Sequence, residues 1–243
     1  MTASEQLLLD FEPDPVFTLN NFIVGDNNRM AVNTLRALDR ADYTSLTLVG
    51  DQGTGKTHLL QATVLAWRLK SGSTTAGYLD LIDEATPPSG SGDEKWLSHF
   101  LANRAHCHLV AVDNLEQLQE SPMLQEGILY LFNQLRATGG HMLCASQTSL
   151  HHLTALRSDL SSRLLWGTEV KIPPPLEEEL LNILHKMVAD RQVRVETGLP
   201  QFLWLRLPRH VRDYTQALDQ LNHVALRDQR PLTIHLAKEV LHL

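Results

Sequence analysis

Cysteine is scarce in this chain: Cys107 and Cys144 are the only two among 243 residues. They are far apart and each lies inside an apolar run, which excludes a disulfide framework and leaves buried thiols as the expectation. Positive charge is not in excess either. The 21 Lys+Arg face 28 Asp+Glu, a formal net charge of −7, which argues against a broad basic face that grips DNA by counterion release. Long hydrophobic runs are absent, so no membrane-spanning helix is expected. The opening MTASEQLLLDFEPD has no basic region ahead of its three leucines, so it does not read as a secretory signal, and a cytoplasmic protein is expected. What remains is ordinary globular material. A 43% hydrophobic and 20% charged composition supplies a core and excludes a disordered or fibrous chain.

The chain divides into three parts. Residues 1–16 combine an apolar cluster with the acidic, proline-punctuated Asp10-Phe11-Glu12-Pro13-Asp14-Pro15, which reads as a flexible tail. Residues 17–174 alternate strand and helix patterns: helical spacing over 28–38, a buried strand at 45–49, a helix over 58–70, and a strand over 77–82. A loop at 87–92 then leads to a helix over 95–104, an apolar strand at 109–112 ending in Asp113, a helix over 122–138 and a strand over 142–145. Repeated strand and helix predict an α/β fold with a parallel sheet covered on both faces. After Pro173-Pro174-Pro175 only helical periodicity continues, with Leu180, Leu181, Leu184, Met187 and Val188 in one stripe and Leu218, Leu221, Asn222 and Ala225 in another. Residues 175–243 are therefore expected to form a small all-helical domain.

Gly50-Asp51-Gln52-Gly53-Thr54-Gly55-Lys56-Thr57 matches G-x-x-x-x-G-K-[ST] in full, between a predicted strand and a predicted helix. Glycines there let successive backbone N–H groups face phosphates, Lys56 neutralises phosphate charge, and Thr57 offers a hydroxyl to Mg²⁺. His58 follows directly and joins the candidate nucleotide-binding set. Leu109-Val110-Ala111-Val112-Asp113 supplies the carboxylate such a site needs for the metal's outer shell. The next residue is Asn114, whose amide has no basic lone pair to polarise water, so intrinsic hydrolysis should be weak or absent. Glu116 reads as a solvated or helix-capping carboxylate. The pairs His106/His108 and His151/His152 lack a matched second pair at ligand spacing, so no zinc site is expected.

With these motifs the chain resembles the DnaA/Hda clade of AAA+ ATPases, over nearly its whole length from Gln6 to Leu243. Phe17-Thr18-Leu19-Asn20-Asn21-Phe22-Ile23-Val24-Gly25-Asp26-Asn27-Asn28 is similar to the clade's N-terminal box, whose backbone around Val24 and Gly25 would meet adenine. The resemblance implies a P-loop αβα domain with a C-terminal helical lid, binding ADP or ATP with Mg²⁺. Leu160-Ser161-Ser162-Arg163-Leu164-Leu165-Trp166-Gly167 looks like the segment carrying the arginine finger, so Arg163 would act in trans on a nucleotide held by a neighbouring subunit. Spacing alone would instead make Arg163 a surface arginine paired with Asp159 or Glu169. Arg212, in Arg209-His210-Val211-Arg212, resembles sensor 2, which reaches from the lid to bound phosphates, with Arg206 and Arg209 as weaker candidates. Gln147 stands where the clade's sensor 1 tends to carry an acid, which again disfavours hydrolysis in cis.

Gln6-Leu7-Leu8-Leu9-Asp10-Phe11 looks like a sliding-clamp-binding peptide. In such a peptide Gln6 hydrogen-bonds at the pocket mouth, while Leu7, Leu9 and Phe11 supply apolar contacts. The partners implied are the ATP form of the initiator DnaA and the DNA polymerase III sliding clamp (beta subunit), with self-association also compatible. No helix-turn-helix segment follows the lid-like residues before Leu243, so sequence-specific DNA binding is not expected. Together these imply a negative regulator of DNA replication initiation that activates the DnaA ATPase. Two other readings stay open: an ATP-hydrolysing helicase loader, and a nucleotide-gated adaptor without a finger.

Overall fold

Five short strands build a wholly parallel sheet: β1 (Ser45–Val49), β2 (Ala76–Asp80), β3 (Leu109–Asp113), β4 (His141–Ser146) and β5 (Thr168–Lys171). The computed structural model describes residues 17–71, 75–84, 100–101, 104, 106–191 and 193–243. Spatial order is β2-β3-β4-β1-β5. Every residue of β1, β3 and β4 is buried, as expected of central strands covered on both faces. Their two-residue period sends Val110, Val112, Met142 and Cys144 into one core and Leu46, Leu48, Leu109, Ala111, Leu143 and Ala145 into the other. Both cysteines are buried thiols outside any disulfide, and burial raises the pKa of both, that of Cys144 up to about 12, so neither is a ready nucleophile.

The helices around the sheet are α1 (Arg29–Arg36), α2 (Lys56–Ser71), the single turn α3 (Leu81–Glu84), α4 (Pro122–Thr138) and α5 (Ser158–Leu165). Local chemistry fixes the ends of α4. Ser121 accepts from the N–H of Leu124 at 3.2 Å, Pro122 occupies the first helical turn, and Gly139 at φ +69° ends the helix in the left-handed region. C-terminal to the three prolines come α6 (Glu177–Asp190), α7 (Leu199–Arg206), α8 (Val211–Arg227) and α9 (Ile234–Leu241), whose core, among the described residues, is drawn from Leu180 to Leu241.

Two expectations need correction. The strand expected over 77–82 stops at Asp80, whose Oδ1 accepts from the N–H of Ile82 at 2.9 Å and turns the chain into α3. The strand β5 had not been anticipated: only Val170 of its four residues is buried, so this edge strand carries little apolar signal. The expected loop at 87–92 lies outside the described residues. So does most of the expected 95–104 helix, although Phe100 and Leu101 are helical.

Candidate nucleotide site

The phosphate loop leaves the end of β1 and enters α2 at Lys56, as the strand–loop–helix reading requires. Gly53 and Gly55 adopt φ of +84° and +90°, a region closed to most side chains. Gly55 also lies beneath Phe22, since an added Cβ would come within 2.7 Å of Phe22 Cε2. Thr54 is buried and its hydroxyl donates to the Asp51 carbonyl at 2.9 Å. The Lys56 ammonium folds back onto the loop, donating to the carbonyls of Gly50 at 2.6 Å and Asp51 at 2.9 Å. Burial lowers its pKa, while Asp113, Glu116 and Asp51 push it back up.

Asp113 closes the site from β3. Its Oδ2 accepts from Thr57 Oγ1 at 2.6 Å and from the Tyr78 hydroxyl at 3.1 Å, and its Oδ1 accepts from the N–H of Asn114 at 2.9 Å. Burial raises the Asp113 pKa against those bonds, and burial with the facing carboxylate raises that of Tyr78. A hydroxyl and a carboxylate held together beside a buried lysine are the donor set that Mg²⁺ and a polyphosphate require. Asn114 sits at φ +59° and its side-chain amide donates to Asp80 Oδ1 at 2.8 Å. The side chain that follows Asp113 is thus an amide donor already engaged with a neighbouring strand.

Other expected residues fall around this centre. Arg212 reaches from α8 to donate to Gln52 Oε1 at 3.1 Å, while Arg209 pairs with Glu177 and lies 4.6 Å over the Trp204 ring. Arg206 lies 5.8 Å over Phe202, within the helical domain. His58 does not point along the phosphate loop: its Nε2 meets the Thr18 carbonyl at 3.0 Å between the rings of Phe17 and Phe22. It props the N-terminal box against α2. Val24 is exposed, and Gly25 backs onto the Glu179 carboxylate of α6. Glu116 is half-buried, and its Oε1 accepts from Ser146 Oγ at 2.7 Å and from the Gln147 N–H.

Arg163 lies on α5, well away in sequence from these groups. Its Nε donates to Asn133 Oδ1 at 3.0 Å and its Nη1 to the Asp159 carbonyl at 2.8 Å. Neither expected carboxylate partner holds it: Arg157 takes the Asp159 side chain at 2.8 Å, and Glu169 accepts from Ser149 Oγ at 3.0 Å. Gln6, Leu7, Leu9 and Phe11 lie outside the described residues. Tyr78, Phe22 and Asn133 carry parts of the arrangement that sequence reasoning assigned to no role. Their contacts join segments far apart in the chain, and no local spacing announces them.

The family model for the bacterial DnaA ATPase domain matches residues 14–171, and that for the Hda lid domain matches residues 177–241. This chain belongs to the DnaA/Hda family of AAA+ proteins. An uncharacterized protein of Haemophilus influenzae is 30% identical over 243 residues, covering 99% of this chain and 100% of its own length. The chromosomal replication initiator protein DnaA of Campylobacter jejuni is 26% identical over 235 residues, 94% of this chain but 52% of that protein. The chain thus spans about half the length of the DnaA relatives it matches. Domain III of the Thermotoga maritima replication initiation protein DnaA superposes with a TM-score of 0.73 at 21% identity, covering 94% and 97% of the two chains. AMPPCP-bound DnaA from Aquifex aeolicus gives 0.67 at 23% identity, covering 85% of this chain and 65% of that one. These likenesses establish the AAA+ fold with its helical lid. Among the described residues, no helix is long and apolar enough to cross a membrane.

Proposed function

We propose that this chain is a negative regulator of replication initiation: it binds ADP or ATP and stimulates hydrolysis of DnaA-bound ATP through Arg163 in trans. In this reading the segment Gln6, Leu7, Leu9 and Phe11 docks it on the DNA-loaded sliding clamp. The observation that carries the reading is the contrast between its two halves. Its own site keeps the binding groups Lys56, Thr57 and Asp113 but has Asn114 where a water-activating acid would stand, while Arg163 is braced by its own turn and by Asn133 of α4.

Gly50, Gln52, Gly53, Thr54 and Gly55 would line the phosphates with backbone N–H groups, Lys56 would meet their charge, and Arg212 would meet them from the lid. Thr57 and Asp113 would hold Mg²⁺, which when bound supplies charge neutralisation. Binding without rapid turnover suits an activator, because ordering an interface needs the ligand and not its cleavage. A planar guanidinium that stabilises charge on a transferring phosphoryl group contributes about 10³ to 10⁵ in rate in other NTPases.

The test is the fraction of DnaA-bound ATP converted to ADP on clamp-loaded DNA, comparing the wild type with Arg163→Ala. Acceleration by the wild type that the variant loses supports the finger. Equal acceleration by both overturns it in favour of an adaptor, and self-hydrolysis abolished by Lys56→Ala favours a loader.

A further inference from the structure

Glu169 is the acid of the edge strand β5, and neutral donors alone hold its carboxylate. Its Oε2 accepts from Ser149 Oγ at 3.0 Å and from the N–H of Leu150 at 3.2 Å. Among the described residues no lysine, arginine or histidine pairs with it. The residue lines a surface cavity of about 200 Å³ together with Leu150, His151, Leu164, Leu165 and Thr168. Sites for whole small molecules run to about 300 to 1,000 Å³, so this one suits a single long side chain.

The cavity is firmly built. Ser45 Oγ of β1 donates to the Leu164 carbonyl at 3.2 Å. Gly167 backs onto the same serine so closely that an added Cβ would come within 2.1 Å of its carbonyl oxygen. Leu150 and Leu164 are buried, whereas His151 and Leu165 are exposed at the surface. A located carboxylate without a counter-charge, set against aliphatic walls, complements a lysine or arginine: the methylenes pack on the leucines and the cationic head meets the oxygens.

Its place in the fold says which protein would bring that side chain. Leu164 and Leu165 directly follow Arg163 and end α5. Trp166 comes next, 61% exposed, with the Arg136 guanidinium 4.9 Å from its ring centroid. Exposed Trp and Arg are the residue types that most often anchor protein interfaces. A surface that receives Arg163 therefore lies within one helical turn of the cavity, about 5.4 Å along the axis.

We propose that this cavity is a docking socket for a lysine or arginine side chain of the nucleotide-bearing protein on which Arg163 acts, with Glu169 as the anchoring carboxylate. The inference rests on the finger reading above and adds a second contact that sets where the partner sits.

Glu169→Gln tests it, because the amide keeps an acceptor for Ser149 and Leu150 and removes only the charge. Binding of the full chain to immobilised ATP-bound DnaA, with clamp-loaded DNA present, is measured by interferometry at low and high salt. The maximal rate of DnaA-bound ATP hydrolysis is measured at saturating chain. At low salt the dissociation constant of the variant rises about three- to tenfold while the maximal rate stays at wild type, and Glu169→Lys weakens binding further. Added salt weakens the wild type more than Glu169→Gln. An unchanged dissociation constant in Glu169→Gln overturns the socket, as does a lowered maximal rate at unchanged affinity. A wild-type affinity indifferent to salt overturns it without any variant. If the wild type binds without accelerating hydrolysis, the finger reading fails while the affinities still decide the socket; absence of binding overturns both.

Discussion

Arg212, in the first turn of α8, donates through Nη1 to Gln52 Oε1 at 3.1 Å, so the lid meets the phosphate loop side chain to side chain. The backbones are close as well, since a Cβ added to Gly53 would lie 3.5 Å from Val211 Cβ. If Arg212 meets the phosphates as proposed, a ligand in the loop would touch both domains at once. Arg212→Ala is expected to weaken ADP about tenfold, the lower range for a hydrogen bond to a charged group. Lys56→Ala is expected to abolish the added stability of about 2.7 kcal/mol that ADP at one hundred times its dissociation constant gives the wild type. Thermal melts with and without ADP read both.

Gly55 combines φ +90° with the ring of Phe22 at its back. Gly55→Ala is expected to lower stability by about 1 to 3 kcal/mol from backbone strain alone, with further loss from displacing the ring. Urea unfolding of the ligand-free chain measures it. A midpoint equal to wild type would mean that the loop relaxes without disturbing Phe22.

His58 gives stability a dependence on acidity. Burial lowers its pKa from 6.5, so the folded state favours the neutral ring. That contribution is complete above about pH 6.5 and is lost as pH falls from there through the lower folded value. The urea midpoint of the wild type should drop between pH 7.5 and 5.5, and that of His58→Gln should drop less. Equal drops would assign the acid sensitivity to other groups.

Replacing Leu9 and Phe11 together by Ala is expected to abolish retention on the sliding clamp, measured by co-elution with clamp-loaded DNA. The melting temperature should match wild type, because Leu9 and Phe11 precede the proline-punctuated stretch and the strand–helix pattern that builds the cores. A large fall in melting temperature would show instead that these side chains support the fold.

The central sheet was legible because β1, β3 and β4 are short, mostly apolar runs, the signature of strands covered on both faces. The edge strand β5 was not, because Thr168, Glu169 and Lys171 are polar and only its pairing with β1 makes it a strand. The phosphate loop and Asp113 were readable as local motifs. Tyr78, Glu116 and Asn133 were not, since each acts through a contact made only when strands or helices distant in the chain are brought side by side. For His58 the local motif shows only its place next to Thr57, while the contacts of its ring with Phe17, Thr18 and Phe22 come from the fold.

Among the described residues, the core running from Leu180 to Leu241 takes no side chain from before the three prolines. A chain severed after Pro174 would therefore keep each of the three described apolar clusters within one fragment or the other. What such a cut would interrupt is the covalent tether across a seam already bridged by Gln52 with Arg212. Nucleotide would then become the fastener, and reassembly of the two fragments would report its concentration.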